Sequence, residues 1–540
     1  MRVTGPTQAR LAYVLVAALV AVGLLLPLFV VEIPPVLDYP NHLARLWLLS
    51  MSPPDPILSS MYAPDWHLLP NLAIDAIMPP LLHVLPLYVA GRLMLAVTLL
   101  LPVIGAVALH HALHRRWSLW PLSCCLIAYN VVFLLGFMNF LLGLGVALLT
   151  AAAWTGLRPQ RPLLAVAALS AGAVAVFFCH VVALLFLGVI VVCTQAEFLL
   201  ARWRRREDVL RAMTHDVAEC AAAFAIPAYL YLASSFGTAG GTVQYQPLKL
   251  KLLEFVSPVL SYDLPLDALT AVVILGVAAL SVWRGRSAVL PVRVGMAIAV
   301  LLLMFVVAPY GAKGGAWLDL RFPVMAAFLL FAGLAPPALP RAFGICAGLA
   351  IAILFTVRTV KVAEVWHAHN AYVDTLRGVV AKVPAGSRVI VARPDPQLNR
   401  RWWHEVPPGR RLIGFGSADD HLAALLLTER RAFSPLLFSS PTQQPIRVLE
   451  PYREISVPSG YPPDYTLLAT TKPTGEDSEK FPYLRDWPAK FDFALIVDSD
   501  GAVDMSAMLS DDADLSKLLR VVVRTDFATL LRVCRPAPCS

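Results

Sequence analysis

Long apolar runs decide what this 540-residue chain can become. A helix that crosses a bilayer needs about 20 mostly apolar residues, and about eleven segments approach that requirement. They are Leu11–Val31, Tyr88–Leu109, Leu119–Leu135, Phe137–Trp154, Pro162–Phe178, Val181–Leu200, Val217–Phe236, Leu266–Trp283, Val294–Pro309, Phe322–Leu339 and Phe343–Val357. Two longer runs have to break, one at "GFMNF" and one near "FCH". Left unbroken, each would be far longer than a bilayer is thick.

The composition agrees with a mostly lipid-embedded chain. Hydrophobic residues make up 58% and charged residues only 15%, against about 25% charged in an ordinary soluble protein. The net charge of +8 does not indicate nucleic acid. The basic residues sit in "HRR" and "RWRRRED", between apolar runs, where a membrane protein keeps its cytoplasmic charge. Neither basic–aromatic interleaving nor zinc-finger spacing is present. With eleven spans, Arg2, Arg10, Arg115, Arg116, Arg158, Arg161, Arg202–Arg206, Arg284, Arg286, Arg293 and Arg341 all fall on one side. That side is cytoplasmic, so the N-terminus is cytoplasmic. The opposite side receives the first loop (32–83), the "GFMNF" turn, the turn with His180, the loop Gly237–Asp263, "GAKGGAWLDLRFP" and the tail. Most polar residues suited to chemistry lie there.

The first loop opens with "LDYPNHLARLWLL". Asp38 can cap or begin a helix, and Pro40 suits its first turn. Asp38, His42 and Arg45 follow at i, i+4 and i+7 and share one face. With Leu43, Leu46, Trp47 and Leu49 on the rest, the segment predicts an amphipathic helix at the membrane interface. Asp38 and His42 at this spacing can share a divalent ion or a proton. The plainer reading makes Asp38 an N-cap and turns His42 and Arg45 to lipid headgroups. Asp65 and His67 follow in "APDWHLLPN". The late loop holds Lys313 among glycines, then Asp319 and Arg321. Glycines let backbone N–H groups approach an anion, and arginine supplies a two-pronged donor. Its plainer reading is a turn closed by an Asp319–Arg321 surface pair. Arg92 and His180 lie near the external ends of spans, where ionisable residues tend to be functional, although a lone histidine at a turn is more often a packing residue. Asn139 in "GFMNF" predicts a helix cap.

From about 361 the charge rises and the long apolar runs end. "SRVIVAR", "FDFALIVDSDG", "LLRVVVRT" and "ATLLRVC" predict strands. "DDHLAALLLTERRAF" predicts a helix capped by Asp419 or Asp420. Together they predict a small α/β or α+β domain. Trp402 and Trp403 suit sugar stacking or, more commonly, core or interfacial anchoring. Asp498 and Asp500 read as a turn. Cys534 and Cys539 suit a disulfide if this end is extracytoplasmic; the other six cysteines lie in apolar runs.

An N-in first span, a long external loop opening on an acid ("DYPNHLAR"), a many-span body and an external soluble tail resemble the GT-C superfamily of integral-membrane glycosyltransferases. "DYPNHLAR" and "GFMNFLLGLG" also resemble segments of bacterial membrane proteins grouped with it. The resemblance implies a polytopic α-helical membrane protein of about 11 transmembrane helices (1–360, with its first external loop at 32–83) and a C-terminal extracytoplasmic α/β or α+β domain (361–540). It implies a bacterial inner membrane, a periplasmic tail and a polyprenyl-phosphate-linked sugar donor. The acceptor would be a lipid, glycan or protein. Asp38 matches the acid that serves there as catalytic base or metal ligand, with His42 beside it and Mg or Mn as the cation. Arg45, Arg321 and Lys313 are the phosphate-binding candidates. Tyr39 stands where the family more often has a second acid, so metal dependence stays open. The competing reading is a non-enzymatic scaffold or transport component for envelope polysaccharide. A transporter would show internal repeats, and none is visible.

Overall fold

The computed structural model describes residues 6–206, 208–238, 240–283, 290–336, 341–394, 410–412, 416–471, 479, 481–497 and 517–535. The helices used below are α1 (Pro6–Val30), α2 (Tyr39–Ser50), α3 (Ala73–Leu82), α4 (Leu87–His114), α5 (Val131–Leu134), α6 (Met138–Leu157), α7 (Pro162–Cys179) and α8 (Val181–Arg204). They continue as α9 (Val209–Ala233), α10 (Ser235–Thr238), α11 (Leu248–Phe255), α12 (Leu264–Trp283), α13 (Val292–Val307), α14 (Arg321–Gly333) and α15 (Arg341–Val380). The chain divides into two compact units: Met1–Phe29, Leu68–Ile74 and Leu93–Ala363 form the first, and Val30–His67, Asp75–Arg92 and Glu364–Ser540 the second.

Among the described residues, seven helices are long and apolar enough to cross a membrane: α1 from Arg10, α4, α6, α7, α8, α9 and α15 from Ala342. The apolar stretches of α12, α13 and α14 are shorter. The expected span Leu119–Leu135 is not one helix. It forms a 3-10 helix at Trp120–Ile127 and then the four-residue α5. Asn130 breaks it, because its amide donates to Ile127 O (2.7 Å) while its oxygen accepts from Phe133 N (3.1 Å). One side chain thus ends the first helix and caps the next. The last span also runs on well past Val357. The 40 residues of α15 extend about 60 Å at 1.5 Å per residue.

Helices of the first unit approach closely where glycine removes a side chain. A Cβ on Gly145 of α6 would lie 2.7 Å from the Leu101 backbone of α4. Small residues at such crossings bring helix backbones together in membranes. Two arginines of this unit meet acidic partners. Arg158 meets Glu219 (3.0 Å) and Gln195 (2.7 Å), and Arg358 meets Asp267 (2.7 Å). Asn139 does not cap α6. It reaches Asn71 O (2.7 Å) and accepts from Ile74 N (3.3 Å).

The second unit is built on a four-stranded sheet, β2–β6–β8–β7. β2 (Val389–Ala392) runs parallel to β6 (Phe493–Val497), which pairs antiparallel with β8 (Ala528–Val533), and β8 with β7 (Leu519–Arg524). All four strands lie in the segments that β-branched composition marked. The first loop does not stand apart from this sheet's unit. Its strand β1 (Tyr62–Pro64) pairs with β5 (Ile446–Val448), Tyr62 opposite Val448. Ala44, Leu48, Leu58, Met61 and Tyr62 share one apolar cluster with Ile390, Phe433, Trp487 and Ile496. Only residues 68–74 of that loop pack with the first unit. The sequence places 32–83 with the membrane domain; in the structure most of it groups with the C-terminal unit.

In the first unit, α11 carries Lys251 and Glu254 towards the late loop. Lys251 Nζ donates to Phe305 O, Val306 O and Ala308 O at the end of α13 and lies 3.3 Å from Asp319. Asp319 is fully buried and pairs with this lysine, so the expected Asp319–Arg321 surface pair does not form. Glu254, also buried, accepts from Gln246 Nε2 (2.7 Å). Burial, and then the neighbouring Asp319 carboxylate, raises its carboxyl from 4.5 to about 8. Between those values the folded chain keeps a proton that the unfolded chain has lost, so this group's contribution to stability falls as pH rises. We expect the melting temperature of the detergent-solubilised protein to decline from pH about 4.5 to 8 less steeply in Glu254→Gln than in the parent. Equal slopes would refute the protonated acid.

Candidate active site

Val36 N bonds Pro34 O and Tyr39 N bonds Val36 O, which turns the chain into α2. Pro40 falls in the first turn, as its locked φ favours. Asp38 occupies the N-cap position, but its side chain makes no capping hydrogen bond. The plainer reading of this residue therefore does not account for it. Its carboxylate is 17% exposed, and Oδ1 lies 3.4 Å from His421 Nε2. His421 Nδ1 in turn faces Asn41 Nδ2 at 3.4 Å. Asn41 is buried and its orientation is fixed: Nδ2 donates to Leu436 O (2.6 Å) and Oδ1 accepts from Phe438 N (2.8 Å).

One turn along α2, Arg45 is 2% exposed and closes its fork on buried Asp75, Nε–Oδ1 2.7 Å and Nη2–Oδ2 3.3 Å. Its Nη1 faces His42 Nδ1 at 3.2 Å. A guanidinium only donates, so that imidazole nitrogen accepts. A cation shared by Asp38 and His42 would therefore have to use His42 Nε2. The side chains of His42 and His421 both set ring edges against Phe438. Arg45 was a phosphate candidate; a phosphate would have to displace Asp75 to reach it.

His421 is held through its own segment. Asp419, two residues earlier, is buried between His369 Nε2 (2.6 Å) and Arg410 Nε (2.9 Å). Arg410 lies against the rings of Tyr372 and Phe527. Burial pushes the Asp419 carboxyl up, but Arg410 and His369 outweigh it and hold the group at about 2. Asp420 meets Arg393 at 2.9 Å. Burial, and then Arg393, pushes the His421 imidazole down to about 3, so it is neutral near pH 7. A cavity of about 10 Å³ borders Asn41, Asp420, His421 and Ser434. That is room for a single water, and no sugar fits it.

The other expected residues lie in varied settings. Arg321 is 8% exposed; its Nη1 donates to Ala316 O (3.2 Å) and Trp317 O (2.7 Å), and its plane lies 4.4 Å from the Phe137 ring centroid. Lys313 donates to Phe236 O and Gly237 O. Arg92 donates to Tyr88 O and Val31 O. His180 caps α8 by accepting from Val182 N at 3.0 Å. His67 bridges Asp65 O and Pro441 O, and Asp65 N bonds Pro445 O. Cys534 is disulfide-bonded; Cys539, like Trp402, Trp403, Asp498 and Asp500, lies outside the described residues. Among the described residues, the group with three metal-type ligands is His215, Asp216 and Glu219 on α9, and Arg158 already contacts both of its acids.

Asp75, Asn41 and His421 were missed in the sequence. Asp75 did leave a signal, a single acid within "AIDAIMPPLL", since a carboxylate among apolar neighbours needs a cationic partner. His421 left none, because no local pattern ties it to a residue 383 positions earlier.

No family model matches the chain, and no curated protein does. Among solved structures it is similar to ArnT from Cupriavidus metallidurans, determined bound to undecaprenyl phosphate, at 11% identity and a TM-score of 0.47 over 98% of this chain and 99% of that one. It is also similar to the arabinofuranosyltransferase AftD from Mycobacteria, at 15% identity and a TM-score of 0.41 over 96% of this chain and 40% of that one.

Proposed function

We propose that the chain is a membrane glycosyltransferase of GT-C type. It would take a sugar from a polyprenyl-phosphate-linked donor and pass it to an extracytoplasmic lipid, glycan or protein. The arginine-bearing loops support a cytoplasmic N-terminus and a periplasmic second unit, in a bacterial inner membrane. The reading rests on one observation. Asp38 begins a mostly buried helix that follows the first apolar helix in sequence, with a partly exposed carboxylate that does not cap that helix.

Transfer of this kind needs a base and a fixed positive charge. A carboxylate takes the proton from the acceptor hydroxyl, the freed oxygen bonds to the anomeric carbon, and the carbon–phosphate oxygen bond breaks with its electron pair leaving on the phosphate. Fixed positive charge then stabilises the departing anion. Asp38 is the proposed base. Arg321 is the proposed phosphate contact, since its plane is already oriented by the Phe137 ring and two carbonyls. Arg45 acts instead by holding α2 through Asp75. No step is assigned to a metal.

Asp38→Asn should lower turnover of a polyprenyl-phosphate sugar about 10²–10⁴-fold, with the melting temperature unchanged. Full activity in that variant would remove the base assignment and favour the scaffold. Arg321→Lys keeps charge but loses the planar fork. It should cut kcat/KM for the lipid-linked donor about tenfold and leave the acceptor KM alone. An effect confined to the acceptor would refute the phosphate role.

A further inference from the structure

We propose that His421, from the C-terminal unit, is the positioning residue that fixes the Asp38 carboxylate through its Nε2–H. This inference rests on reading Asp38 as the base. Its support is the order of donors and acceptors. Asn41 has its oxygen occupied by Phe438 N–H, so its Nδ2 must be the group facing His421. An amide nitrogen only donates, so His421 Nδ1 accepts and the ring proton sits on Nε2. Nε2 lies 3.4 Å from Asp38 Oδ1, a charge-pair distance at which a carboxylate can accept once the two side chains close on each other.

The ring has little freedom to do otherwise. His421 is 7% exposed. Its edge packs on Phe438 with ring centroids 4.7 Å apart. The backbone on its N-terminal side is pinned by Asp419 between Arg410 and His369. A neutral donor held this firmly can select one carboxylate orientation while leaving its negative charge in place. Asn41 and Asp38 belong to the same turn of α2, so the histidine bridges two points of one helix start. A base must sit within hydrogen-bond reach of the proton it takes, and a misplacement of about 1 Å can cost about 10²-fold in rate.

Two substitutions divide the ring's functions. His421→Gln keeps an N–H near the Nε2 position and loses the acceptor for Asn41. His421→Asn keeps a group near Nδ1 and loses the contact with Asp38. We expect His421→Asn to lower kcat about tenfold with KM for the lipid-linked donor unchanged, and His421→Gln to recover most of kcat. Equal losses in both variants, or a loss carried by KM, would overturn the proposal. A spectroscopic measurement does not depend on turnover. In the full-length protein with ¹⁵N-histidine, the resonance that disappears in His421→Gln should show the Nε2–H tautomer and shift in Asp38→Asn. A resonance indifferent to Asp38→Asn refutes the contact. If Asp38→Asn is fully active while that resonance shifts, the base assignment fails and the contact stands.

Discussion

Burial of Arg45 against Asp75 is the constraint on which the rest of the site depends. A guanidinium 2% exposed and a carboxylate 1% exposed are tolerable only together. Removing either partner of such a pair costs about 3–5 kcal/mol, because the other charge is left buried. The pair therefore fixes the rotation of α2 about its axis. Arg45 can reach Asp75 only if Leu43, Ala44, Leu46 and Leu48 turn to their buried positions, as they do. That rotation decides where Asn41 and Asp38 point, about one and two turns earlier. The ion pair does not act on a substrate; it orients the helix that carries the proposed base.

A second anchor works from the far end of the chain. His369, Asp419 and Arg410 form a buried set in which each charge has a partner, and His421 follows two residues later. The β1–β5 pairing and the shared apolar cluster join residues 39–64 to residues 390–533. Asp38 is thus set between two independently braced segments of one unit. Catalytic groups held by such a supporting shell keep their geometry without relying on flexible loop positions.

Much of this was legible in the sequence because local patterns carry local structure. Apolar length marked the long helices, Pro40 and the i, i+4, i+7 spacing marked α2, and β-branched runs marked the four strands. What failed was information that periodicity does not contain. An amphipathic helix looks the same whether its apolar face meets lipid or protein, so α2 reads as interfacial although Ala44 and Leu48 lie in the core. Hydropathy reads Leu119–Leu135 as one helix because it cannot weigh one asparagine that satisfies backbone groups on both sides of itself. Partners far apart in sequence, such as Arg45 with Asp75 and Asn41 with His421, require the fold.

Asp38 and Asp75 show how one short region can give two identical side chains opposite tasks. Asp75 accepts two bonds from a guanidinium at 1% exposure. Each of its oxygens accepts one bond from that guanidinium, which compensates its charge. Asp38 is more exposed at 17%, and its described neighbour is an imidazole that the surrounding network keeps neutral. A neutral N–H orients an anion without cancelling its charge, whereas a cation does both. Environment, and not residue type, separates the acid that builds the site from the one proposed to work in it.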